Sequence, residues 1–150
     1  MKSIAVSKCL LGYPCRYDGK GIPCVDVIAL KDKYNLIPVC PEELGGLPTP
    51  RIPAEIVGDR VIRRDGTDIT AEYILGAKIA LTYALENGCN MAILKSKSPS
   101  CGKGQIYDGT FTGTLTHGDG ITVRLFEARG IQVINERETD KLNENNSNRF

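Results

Sequence analysis

Ser3-Ile4-Ala5-Val6-Ser7, followed at once by Lys8-Cys9, is the stretch on which the fold turns. A short apolar run that stops at a charge reads as a buried strand. The pattern recurs three times. Leu36-Ile37-Pro38-Val39 stops at Cys40, although Pro38 is unusual inside a strand. Met91-Ala92-Ile93-Leu94 opens into the loop Lys95–Gly104, and Ile131-Gln132-Val133-Ile134 closes the series.

Helical patterns lie between these runs. Residues 23–34 space Val25, Ile28 and Ala29 as a helix would. A longer helix starts from a cap at Asp68 or Thr70 and stops at Gly88, with a stripe of Ile74, Ala77, Leu81, Ala84 and Leu85. A last one spans residues 121–129 and ends at Gly130. Residues 41–55 are a Pro/Gly-rich ordered loop, and residues 55–64 alternate around Gly58-Asp59 as a small hairpin. Strands alternating with helices predict an α/β fold: a single compact domain over residues 1–135, Rossmann-like, with a mostly parallel sheet and helices packed on its faces. Residues 136–150 read as a polar, disordered tail.

Composition narrows the function. With 19 basic and 18 acidic residues, the chain lacks the basic excess of a protein that grips nucleic-acid phosphates. The N-terminal segment has no long hydrophobic region or cleavage site, and no run reaches the roughly 20 apolar residues of a membrane helix. The expected compartment is the cytoplasm, where thiols stay reduced. Six cysteines there call for metal binding or catalysis, or for simple burial as small hydrophobes.

In parallel sheets, ligands bind beyond the carboxyl ends of the strands. Cys9 and Cys40 directly follow the first two strands, and Cys101 lies in the loop after the third. Three loops of one rim can therefore bring three thiols together. Thiolates suit iron-sulfur iron or zinc. No Cys-x-x-Cys occurs, which argues against a zinc ribbon or a thioredoxin-type pair. Cys15, in the same loop as Cys9, is the rival ligand; Cys24 begins a helix and Cys89 follows one, as structural residues would.

Around these thiols, Glu42 or Glu43 offers a general base or merely a solvated charge. Ser98 and Ser100 orient a polar substrate or close their turn. Arg16, Asp18 and Arg51 are charged loop residues with a binding or a surface role. His117, the one histidine, sits in a turn that caps the last helix. Neither G-x-G-x-x-G nor a Walker motif is present.

The residues around the cysteines carry more than their spacing. Cys9-Leu10-Leu11-Gly12-Tyr13-Pro14-Cys15-Arg16-Tyr17-Asp18-Gly19, Pro38-Val39-Cys40-Pro41-Glu42, Gly45 to Arg51, Leu94 to Gly102 and Ile106 to Phe111 appear in order. Over residues 3–135 the chain resembles domain-of-unknown-function family 523, whose characterised members are thiouracil desulfidases. The resemblance implies a [4Fe-4S] cluster on Cys9, Cys40 and Cys101, with the fourth iron free to polarise a thiocarbonyl sulfur. Water then replaces sulfur, which leaves as hydrosulfide without net redox change. Glu42 is implied as acid/base and Ser98, or its neighbour Ser100, as the orienting hydroxyl, with Arg16, Tyr17, Asp18 and Arg51 around the substrate. The implied partner is a small thiolated base or nucleoside, and the loop aromatics able to stack on it are Tyr13, Tyr17, Tyr107 and Phe111. A non-catalytic cluster or sulfide-binding module and a cluster-free thiol enzyme are the competing classes.

Overall fold

In the computed structural model, which describes residues 1–142, strand β1 (Ser3–Ser7) is central to a four-stranded sheet. Its neighbours are β2 (Asn35–Val39) and, beyond two further strands in sequence, β5 (Met91–Leu94); β8 (Gln132–Asn135) completes the order β2-β1-β5-β8. Every pairing in it is parallel, with Ser7 opposite Val39 and Leu94 opposite Asn135. The expected α/β architecture is the one observed.

Both faces of this sheet are covered, which explains why its strands read as unbroken apolar runs. Alternate residues part cleanly between two cores. Ala5, Val39, Ala92, Leu94 and Val133 face one side, where they meet Ala80, Leu81 and Ala84 of α3 (Thr70–Glu86) and Val123 and Phe126 of α4 (Ile121–Ala128). Ile4, Val6, Ile93 and Ile134 face the other and meet Leu10, Val27 and Tyr34.

Two antiparallel hairpins stand beside the sheet. The first, β3 (Ala54–Val57) with β4 (Arg60–Arg63), is the hairpin expected from the alternation around Gly58. The second, β6 (Gln105–Tyr107) with β7 (Leu115–His117), is not. His117 accordingly ends a strand opposite Gln105 instead of sitting in the capping turn. The two hairpins share a core with Tyr73, Ala77 and Ile121.

Other departures have local causes. The helix expected over residues 23–34 is a single turn, α1 (Val25–Ile28), followed by a 3-10 turn over Ala29–Asp32. The chain must tighten there so that Asn35 N–H can donate to Lys2 C=O and start β2 in register. On α3, Ala77, Leu81 and Ala84 are buried as expected, but Ile74 and Leu85 are exposed. Tyr73, Gly76 and Ala80 take their place, because another helix presses against that side. That helix is α2 (Pro41–Leu44), inside the segment expected to be loop. Its contact with α3 is backbone to backbone: a Cβ on Gly76 would come within 1.8 Å of Pro41 O, and one on Gly45 within 2.0 Å of Glu72 O. The polar tail also begins later than expected. Glu136 accepts hydrogen bonds from Ser96 N–H and Oγ and pairs with Lys95 at 3.1 Å, and Leu142 is buried in the second core. Residues 143–150 of that segment lie outside the described residues.

Candidate active site

β1, β2 and β5 end level with one another, so the loops leaving them meet. Cys9 sits in the 3-10 turn Lys8–Leu11 directly after β1, Cys40 caps α2 directly after β2, and Cys101 follows β5 in the loop Lys95–Gly104. All three, together with Cys15, line one cavity of about 490 Å³. That volume suits a small ligand. All six cysteines are free thiols.

The thiols are crowded. Cys15, Cys40 and Glu43 bring ligand atoms within 4.8 Å of one another. Cys9 lines the same cavity beside them. Crowding moves their titration. The Cys15 sulfur and burial push Cys40 far above the ordinary thiol range. Cys15 is pulled down by Cys40, but Cys9 and burial outweigh that and leave it raised. Burial pushes Cys101 up to about 12, against the opposing pull of the Ser7 and Ser100 hydroxyls. Sulfurs packed this closely resist becoming neighbouring thiolates on their own. A soft cation is what reverses that balance, and the donor set fits one.

Cys101 owes its position to α4. The first helical amides are not capped by a side chain; Gly120, Ile121 and Thr122 donate to the carbonyls of Gly102, Pro99 and Ser100 at 2.7, 2.9 and 2.9 Å. Ser98 Oγ accepts from Ser100 N–H and Cys101 N–H at 3.0 and 3.1 Å. Its own proton therefore stays available to the cavity that Ser98 lines. Ser100 differs. It is buried, shares a hydrogen bond with Thr122 Oγ1 at 2.8 Å, and is not among the lining residues.

Beside the thiols stands a clamped carboxylate. Glu42 Oε1 accepts from Tyr73 Oη at 2.7 Å, and Glu42 Oε2 accepts from Arg51 through Nε at 3.0 Å and through Nη2. Arg51 also donates to Cys15 C=O at 2.9 Å and to Pro48 C=O at 3.1 Å, which ties the Cys15 loop to α2. Burial alone would ease the proton off Arg51, but Glu42 more than offsets it and keeps the guanidinium charged. Burial, reinforced by Glu42, holds Tyr73 well above the usual phenol range, so it remains a donor. The close glycine contact between α2 and α3 is what allows Tyr73 to reach Glu42.

Of the residues singled out in the sequence, Cys9, Cys15, Cys40, Cys101, Glu42, Ser98, Arg16, Tyr17 and Arg51 share the lining, whereas Asp18 and Ser100 do not. Asp18 braces its own turn, accepting from Lys20 N–H at 3.0 Å and pairing with Arg16 at 3.6 Å. Cys24 and Cys89 lie away from the cavity, as their places at helix ends implied. Ser7, Tyr73, Glu55 and Arg64 also line the cavity, and the sequence did not single them out as site residues. The last two belong to the hairpin side of the cavity, with Tyr107 and Phe111. No helix among the described residues is long and apolar enough to cross a membrane.

Comparison with known proteins falls on this same frame. A Bacillus subtilis (strain 168) protein, YbbK, is 40% identical over 149 residues, covering 93% of this chain and 99% of that one. The solved structure of the [4Fe-4S]-dependent thiouracil desulfidase TudS (DUF523Vcz) superposes with a TM-score of 0.91 at 44% identity, covering 98% of this chain and 99% of the other. The family model described as 2-thiouracil desulfurase matches residues 4–138, a span that takes in the strand-end thiols, the clamped carboxylate and both hairpins. The chain belongs to the 2-thiouracil desulfurase family.

Proposed function

We propose that this protein is a [4Fe-4S]-dependent desulfidase that exchanges the sulfur of a small thiolated pyrimidine, or a related thiocarbonyl compound, for the oxygen of water. The observation that carries this reading is the opening of four thiols and one clamped carboxylate onto a single cavity. The solved relative named as a [4Fe-4S]-dependent thiouracil desulfidase supports it. Cys9, Cys40 and Cys101 are the proposed ligands, each in a loop that leaves a different strand of the sheet. They would hold the cluster, which would supply a Lewis acid to a thiocarbonyl sulfur.

The protein's own residues do the rest. Glu42 takes a proton from the attacking water, its orientation set by Tyr73 on one oxygen and Arg51 on the other. Ser98 donates its free hydroxyl proton toward the substrate or the leaving sulfur. Arg16 and Tyr17 face the substrate from the Cys9 loop. The balance is simple: thiocarbonyl and water give carbonyl, hydrosulfide and a proton, and no oxidant or reductant is consumed.

One observation favours a different third ligand. Cys15, Cys40 and Glu43 bring ligand atoms within 4.8 Å of one another, a group that does not include Cys101. Iron and sulfide content of anaerobically prepared protein decides between them. Loss in Cys9→Ser, Cys40→Ser and Cys101→Ser, with retention in Cys15→Ser, supports the first assignment; retention in Cys101→Ser with loss in Cys15→Ser moves the ligand. Hydrosulfide release from 2-thiouracil tests the reaction. A fully loaded wild-type protein that releases none sinks that substrate.

A further inference from the structure

The hairpin side of the cavity holds a buried carboxylate for which the desulfurating chemistry has no use. Glu55, at the start of β3, is 8% exposed and lines the cavity. Its Oε1 accepts from Gly109 N–H at 2.9 Å and from Phe111 N–H at 3.2 Å, bridging the two hairpins. Its Oε2 takes no hydrogen bond from the described residues. That oxygen is not sealed inside the protein, and Glu55 lines the cavity, so Oε2 stands as an open acceptor for which a ligand in the cavity can supply the donor.

The surroundings say what that donor is attached to. Phe111 is held at φ +57, a left-handed backbone rare for a bulky residue. Gly109, at φ +92, sits so close to β3 that a Cβ would come within 2.7 Å of Ile56 O. The turn is therefore built to hold the Phe111 ring in one place. Arg64 lies over that ring at 6.0 Å from its centroid. An aromatic face beside an open acceptor suits a flat ring bearing an N–H in its own plane.

We propose that Glu55 determines specificity: with one oxygen it braces the Gly109–Phe111 turn, and with the other it accepts a ring N–H of a planar heterocycle stacked on Phe111. This rests on the reading that a thiolated base is the substrate, and extends it by requiring an unsubstituted N–H on that base. Cyclic thioamides with N–H are taken; their N-alkylated counterparts are refused.

The Glu55→Gln variant separates bracing from recognition. Glutamine still offers a carbonyl oxygen to both backbone amides, but presents NH2 where the free acceptor stood. The anaerobically loaded wild-type protein and this variant are titrated calorimetrically with uracil, a non-reacting analogue, and with 1,3-dimethyluracil. Wild type binds uracil and discriminates against the dimethyl compound by about 10- to 100-fold, and Glu55→Gln loses most of that discrimination with an unchanged melting temperature. With 2-thiouracil as substrate the loss falls on KM more than on kcat. Equal discrimination by wild type and variant, or no uracil binding by wild type, overturns the proposal. A wild type that binds uracil selectively but releases no hydrosulfide overturns the desulfidase reading and leaves Glu55 in its role. If Glu55→Gln fails to fold, Phe111→Leu, which keeps the backbone bonds, must weaken uracil binding by roughly 10-fold, as loss of base stacking requires; unchanged binding again overturns the proposal.

Discussion

The two sides of the cavity are built on opposite plans. The thiol side hangs from the ends of parallel strands, of which β1 and β5 are buried almost throughout between two cores. Cys9 and Cys40 are placed by the strands that they directly follow, and Cys101 by the bonds that tie its loop to α4. The hairpin side is made of strands three or four residues long, packed on one small core and bridged to each other by one carboxylate. Strands this short gain little from their own pairing and depend on what they pack against. The contrast teaches a division of labour: invariable geometry where reacting atoms must be held, and short adaptable elements where a substrate must be told apart from its neighbours.

That division can be broken deliberately. Gly76→Ala strikes at the junction of α2 and α3, where the added Cβ meets Pro41 O at 1.8 Å. The cost is about 3 kcal/mol or more of stability, roughly 10 °C in melting temperature, because backbone and not side chain must give way. Hydrosulfide release should fall with it, since Glu42 rides on α2. Gly109→Ala works on the other side. Alanine at φ +92, facing Ile56 O, costs about 1–3 kcal/mol locally. Iron content should stay at the wild-type level while uracil binding weakens about tenfold. A parallel loss of iron would show that the two sides are not independent.

The smallest effect sharpens the comparison at the rim of β5. Burial would raise the Glu136 carboxyl, but the Ser96 amide and Lys95 win and hold it below the usual carboxylate range. A lowered native pKa means stability that is present above the unfolded-state value and lost as the pH falls through the native one. Glu136→Gln should therefore cost about 1 kcal/mol at neutral pH, with the gap to wild type closing in acid. Urea unfolding at several pH values checks this.

Much of the thiol side was legible because burial on both faces writes each strand as an apolar run, and each run here stops at its functional loop. The family resemblance supplied the rest of that reading, including Glu42 and Ser98. On the hairpin side the sequence marked the first hairpin and the Tyr107 and Phe111 rings, but not the second hairpin. β6 and β7 are three residues each, too short to show an alternation, and the turn between them, rich in Gly and Thr around Phe111, reads as plain loop. Tyr73 and Glu42 are 31 residues apart, and nothing local announces that two glycines will let their helices touch. Asp18 and Ser100 are polar residues in the right loops, but backbone amides and Thr122 claim their side chains first. Cys15 could not be placed from its spacing, because it is the folding of its loop back toward α2, through Arg51, that brings it to Cys40.

The stitching of α4 to the Cys101 loop has a consequence for motion. Helix N-termini ordinarily leave their first amides open to solvent, where they exchange hydrogen quickly and fray. Here the amides of Gly120, Ile121 and Thr122 are taken by the loop's own carbonyls, so loop and helix share one set of bonds. Neither opens without the other. Those three amides should exchange as slowly as the middle of α4, and the Cys101 sulfur is carried by a segment that gives way only when that helix does.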